Sequence, residues 1–148
     1  MKTTWILIAH RAGARLFEHR GREGGIVLLE DFPHPEGRLK NGEINADKPG
    51  RSLDSMRTGG RHAMAKEHLP TEVVAQRFAK ELAGHLDHGR SQNRYERLVL
   101  VAEPRFLGTL RGALGAPTAA LVDATVDKDL GGVESRDLPR YLGEVVAL

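Results

Sequence analysis

Two textures of apolar spacing divide the chain. In the first third, apolar residues come in short runs broken by glycine. Trp5-Ile6-Leu7-Ile8-Ala9 is unbroken, the pattern of a strand buried on both faces. Ala12-Gly13 then supplies a turn, and Ala14-Arg15-Leu16-Phe17-Glu18-His19 follows with partial alternation. Gly24-Gly25 turns the chain again before Ile26-Val27-Leu28-Leu29-Glu30, and Pro33 and Pro35 close the region. Three short strands joined through glycine turns predict an antiparallel meander.

Beyond residue 70 the period lengthens. Pro70 suits a first helical turn, and Val74, Phe78, Leu82 and Leu86 recur every four residues beside Ala75 and Ala79. Glu72, Arg77, Lys80 and Glu81 fall on the opposite face, as an amphipathic helix requires. Gly89 and the polar stretch Arg90–Arg94 end it. Leu98–Ala102 reads as a second buried strand, and Glu103-Pro104 leads into a helix with Phe106, Leu107, Leu110 and Leu114 inward. Gly115 is expected to terminate that helix. Ala119–Val126 is expected as a last strand, and Leu138, Leu142, Val145 and Val146 mark a C-terminal helix. The expected fold is one α/β domain over residues 1–148, with a meander followed by β-α-β-α-β-α connections. Right-handed parallel crossovers then give a mixed five-stranded sheet. Sites in such sheets gather at carboxyl ends of strands. Those ends carry Ala9-His10-Arg11, Ala102-Glu103-Pro104-Arg105 and Asp127-Lys128-Asp129.

Between the two textures lies Gly37–His68, with no strand pattern and almost no apolar run. Connections longer than about 12–15 residues without secondary structure are uncommon in compact domains, and are usually functional or disordered. This stretch carries seven Lys/Arg against four Asp/Glu and contains Gly59-Gly60-Arg61-His62.

Composition narrows the classes. The chain has 148 residues, 40% apolar and 28% charged, which is ordinary globular material for one domain. It has no cysteine, so disulfides, thiolate metal sites and cysteine nucleophiles are excluded. No apolar run approaches the roughly 18 residues of a membrane span, and the N-terminal run is too short for a signal peptide. The expected compartment is the cytoplasm. A net charge of +2 and a pI near 9.1 do not by themselves imply nucleic acid. The basic surplus concentrates in two places. Arg11, Arg15, Arg20 and Arg22 face Glu18 and Glu23 early in the chain, while Arg51, Arg57, Arg61 and Lys66 fall in the long connection. Each alone reads as solvated surface charge, and anion binding gains weight if the fold joins them.

Candidate chemistry is sparse. His10 and Glu103 would approach each other if their strands are adjacent and parallel, and such a pair suits acid/base catalysis. The plainer reading is polar residues hydrogen-bonded at strand ends. Asp123, Asp127 and Asp129 offer oxygen ligands, but their spacing fits no EF-hand loop and Lys128 sits among them. Turn formation or helix capping suits Asp127 and Asp129 better. His85 and His88, three apart on one helix, more commonly serve its terminal carbonyls than a metal. No phosphate-binding glycine motif occurs. Gly59-Gly60 permits close backbone approach to a partner, and Arg57 and Arg61 beside it suit phosphate. A flexible turn into the next helix is the competing reading.

Several segments together carry a resemblance: WILIAHRAGARLFE, RTGGRHAM, QRFAKELAGHL, LVLVAEPRFLGTLRGAL and VDKDL followed by LPRYL. With them the chain resembles the bacterial host attachment protein family, described as required for attachment to host cells. That family is similar to the middle domain of archaeal and eukaryotic class-1 release factors, which implies a ribonuclease H-like fold. Release factors carry a GGQ tripeptide on a long loop between the third strand and the first helix. Gly59-Gly60-Arg61 occupies that place in the order of elements, with arginine where the tripeptide has glutamine. The resemblance implies contact with RNA more than peptidyl-tRNA hydrolysis. The carboxylate cluster of ribonuclease H is not matched either, since His10 falls at the first-strand acidic position.

The leading expectation is a cytoplasmic, non-enzymatic or weakly catalytic domain that contacts the ribosome, tRNA or other RNA. Arg51, Arg57, Gly59, Gly60, Arg61 and His62 would make the contact, with Arg11 and Arg105 beside them. No metal or cofactor is expected. One alternative is a protein-interaction module working through residues 37–68, or a homodimer, with an indirect effect on attachment. The other is a hydrolase using His10 and Glu103.

Overall fold

The computed structural model describes residues 3–10, 12–21, 25–34 and 71–143. Three strands come first, β1 (Thr4–His10), β2 (Gly13–His19) and β3 (Ile26–Pro33). After the long connection come α1 (Thr71–Ser91), β4 (Arg97–Val101), α2 (Pro104–Ala113), α3 (Ala116–Ala119) and β5 (Val122–Val126). A 3₁₀ turn at Ser135–Asp137 leads into α4 (Leu138–Leu142). The strands form one sheet in the order β3-β2-β1-β4-β5. β1 pairs antiparallel with β2 and β2 with β3, while β4 runs parallel to both β1 and β5. The mixed five-stranded sheet expected from apolar spacing is therefore present.

Alternation along β1 explains why its whole run is apolar. Trp5, Leu7 and Ala9 point to one face, where they meet Phe78, Leu82 and Leu86 of α1 and Phe106, Leu107 and Leu110 of α2. Ile6 and Ile8 point to the other, where Phe17, Val99 and Val101 pack under Leu130, Leu138 and Leu142. Both faces of the central strands are covered, as parallel strands require. Each fully buried side chain of this size contributes roughly 1.5–3 kcal/mol of transfer free energy.

At the amino ends of β1 and β4, the rings of Trp5 and Tyr95 stack with centroids 4.5 Å apart. The Tyr95 hydroxyl donates to the Leu86 carbonyl at 2.6 Å. Burial pushes this phenol up to about 12, with Asp87 adding to the shift and Thr118 and Arg90 opposing it.

Two boundaries differ from the apolar pattern. Leu114, expected inside α2, is its extended C-cap, and Gly115 caps the start of α3 rather than simply ending α2. Ala119, expected to open the last strand, closes α3, so β5 starts at Val122. Pro117 stands in the first turn of α3, where its fixed φ favours helix. Thr118 is buried there and accepts from Arg90 Nε at 3.2 Å. A short tertiary anchor outweighs the apolar run Ala119-Ala120-Leu121. Val145 and Val146 lie outside the described residues.

β3 is the outer strand on its side of the sheet. Only its Phe32 is buried, while Val27 is 57%, Leu28 48% and Leu29 42% exposed. Leu29 is the extra residue of an irregularity, since Phe17 pairs with Leu28 and Leu16 with Glu30.

Candidate functional site

β1 carries His10 to the carboxyl edge of the sheet, where the chain reverses at once into β2. The reversal is tight. A Cβ on Gly13 would stand 2.9 Å from the Phe32 carbonyl oxygen, so only glycine lets β2 begin this close to β3. The Ala12 carbonyl accepts from His34 N–H at 3.0 Å, tying the end of β3 to the same turn.

Against this edge sits the turn that follows β5. Asp129 Oδ1 accepts from Gly131 N–H at 3.0 Å, and Val133 N–H donates to the Leu130 carbonyl at 3.1 Å. The turn lies directly on His10, because a Cβ on Gly131 would overlap the imidazole ring. Arg15 holds it from below. Its Nη2 donates to the Leu130 carbonyl at 3.0 Å and reaches that of Gly131 at 3.5 Å. The guanidinium carbon stands 5.6 Å from the centre of the Phe17 ring.

Between these parts is an open cleft of about 390 Å³, whose charged and titratable lining comes from His10, Arg15, Asp31 and Glu134. His10 Nδ1 accepts from Ala12 N–H at 3.3 Å, which assigns the proton of the neutral ring to Nε2. Arg15 and Asp31 are register partners across β2 and β3. Glu134 pairs with Arg136 at 3.0 Å on the rim. The cleft mixes both signs of charge at a strand end, where α/β sheets commonly place binding sites.

The expected strand-end candidates separate into distinct roles. β1 and β4 are adjacent and parallel, with Ile8 opposite Val101, so His10 and Glu103 each stand two residues past that pair. The Glu103 carboxylate, however, is the N-cap of α2. Oε1 accepts from Phe106 N–H at 2.7 Å and Oε2 from Arg105 N–H at 3.3 Å. Arg105 is exposed on the first turn of that helix. Arg11, Arg51, Arg57, Gly59, Gly60, Arg61 and His62 lie outside the described residues. So does the whole connection 37–68.

Among the described residues, no three His, Asp or Glu side chains come together as a metal site. Asp129 is a turn residue, as its spacing suggested. His85 does not sit at a helix end, because α1 continues to Ser91, and its ring packs 4.7 Å from that of Phe32. No described helix is long and apolar enough to cross a membrane. The contribution of Asp31, Gly131 and Glu134 to the cleft was not visible in their local patterns. The Gly131-Gly132 pair was the one available signal.

Sheet and cleft together define a mixed-sheet α/β domain with a strand-end cleft of mixed polar and apolar lining. A family model described as "Protein required for attachment to host cells" matches residues 5–142, from β1 to the end of α4, and the chain belongs to that family. No curated protein matches it.

Proposed function

We propose that this host attachment family member is an RNA-binding domain of release-factor-like, ribonuclease H-like kind, which visits the ribosome or tRNA through residues 37–68. The observation that carries this reading is the place of that segment in the fold. It joins β3 to α1, the position where release-factor middle domains carry their glycine tripeptide. Seven Lys/Arg against four Asp/Glu, with Arg57 and Arg61 flanking Gly59-Gly60, suit a phosphate backbone. Arg61 in place of glutamine favours binding without peptidyl-tRNA hydrolysis. The hydrolase reading gains less support, because the Glu103 carboxylate is occupied in capping α2.

Co-sedimentation with ribosomes and with free RNA at low and high salt tests the proposal. Binding that weakens steeply with salt, through counterion release, is expected. Absence of binding at low salt would contradict it.

A second reading, an interaction module with an indirect effect on attachment, is favoured by the exposed apolar edge of β3.

A further inference from the structure

We propose that two copies of this chain join edge to edge through β3, antiparallel, about a twofold axis at Leu28. The strand is eight residues long and stands outermost in the sheet, so one row of its backbone N–H and C=O groups faces away from β2. Native proteins usually guard such an edge with lysine, proline, a bulge or a covering element. Ile26–Phe32 contains no Lys or Arg. The guards lie in its second half, where an irregularity falls at Leu29, Glu30 and Asp31 are exposed and Pro33 ends the strand, which leaves the apolar Val27-Leu28 half open. Val27, Leu28 and Leu29 are three of the four exposed large apolar residues among those described. Contiguous exposure of this kind on an open edge marks an association site.

The order of residues along β3 favours a second copy as the occupant. Apolar residues come first and carboxylates after, in the sequence Ile-Val-Leu-Leu-Glu-Asp. Running the strand against itself about Leu28 places Leu28 opposite its own equivalent and Val27 opposite Leu29. Glu30 then meets Ile26, and Asp31 meets Gly25, so the two acidic pairs stand at opposite ends of the ladder. Like charges placed directly opposite would be destabilising, and this register avoids them. The contact is isologous and closes after two subunits, extending two five-stranded sheets into one. In sequence, residues 37–68 hold no two adjacent large apolar residues to match Val27-Leu28-Leu29. A basic extended peptide would satisfy Glu30 and Asp31 but leave Val27–Leu29 without apolar partners.

Light scattering across a dilution series reads the mass directly. The wild-type protein is expected at twice 16.2 kDa, falling towards the single-chain value on dilution. The double variant Val27→Lys with Leu28→Lys is expected to stay at the single-chain mass. Both positions are exposed, and an unchanged far-ultraviolet circular dichroism spectrum verifies its fold. The absence of cysteine gives a second, register-specific readout. Directly opposed positions bring Cβ atoms within about 4.5–5.5 Å, close enough for a disulfide after small adjustment. Mild oxidation should therefore link Leu28→Cys into a covalent dimer much faster than the exposed control Tyr141→Cys. A wild-type protein that stays at the single-chain mass at every concentration overturns the proposal. So does a double-lysine variant that keeps the dimer mass, or a dimeric Leu28→Cys protein that links no faster than the control.

Discussion

Arg15 on β2 donates to the carbonyl of Leu130, 115 residues further along the chain, at 3.0 Å. One side chain thus fixes the wall of the strand-end cleft to the floor of the sheet. Its charge alone suggested a solvated surface arginine. The geometry gives it two carbonyl acceptors and an aromatic ring instead.

Replacing Arg15 with alanine should therefore cost stability as well as charge. Loss of the carbonyl contacts and of the packing on Phe17 is expected to remove about 1–2 kcal/mol. Urea unfolding of Arg15→Ala beside the exposed control Arg136→Ala measures the difference. An equal and negligible effect in both would mean that the turn does not depend on Arg15.

Gly131 faces His10 so closely that one methyl group is too many. Gly131→Ala should destabilise by about 1–3 kcal/mol through overpacking. Gly132→Ala, which meets nothing within 4 Å, should change little. Combining Gly131→Ala with His10→Ala should recover part of the loss, because residues in contact do not behave additively. Strict additivity in that double-mutant cycle would rule out the contact.

The N-cap role of Glu103 makes a different forecast from an acid/base role. Glu103→Ala should lose about 1 kcal/mol of stability, and Glu103→Ser, which restores a capping oxygen, should regain most of it. Thermal denaturation of the three proteins distinguishes them. Equal melting of the alanine and serine variants would count against the cap.

The sheet was legible in sequence because its signals are local. Unbroken apolar runs at Trp5–Ala9 and Leu98–Ala102 identify strands covered on both faces, and the four-residue recurrence from Val74 to Leu86 identifies α1. The start of β5 was not legible. Ala119-Ala120-Leu121 reads as apolar in either state, and the bond from Arg90 to Thr118 that supports α3 joins distant parts of the chain. The cleft was half legible for the same reason. His10 stood out at a strand end, but its companions are brought there by the β2–β3 pairing and the turn after β5. Neither arrangement leaves a periodic trace.

Tyr95 gives the fold an alkaline limit. Its phenol, pushed up to about 12 by burial, stays neutral in the folded state while the unfolded chain ionises near 10. Between those values the folded state binds more protons, so stability falls as pH rises. The contribution is fully present below pH 10 and is lost as pH rises through about 12. Tyr95→Phe should be less stable at neutral pH, having lost the bond to Leu86, yet should show a shallower decline above pH 10. Parallel alkaline declines in both proteins would remove Tyr95 as the cause.

The salt dependence of RNA binding, measured for the wild type and for the double variant Arg57→Ala with Arg61→Ala, tests the proposed function most directly. If both arginines contact phosphate, the double variant should bind more weakly. Its plot of log affinity against log salt should be flatter by about one unit per lost contact. Its thermal stability should match the wild type within about 0.5 kcal/mol, as expected for surface substitutions. Affinity and slope both unchanged would contradict RNA binding through this segment.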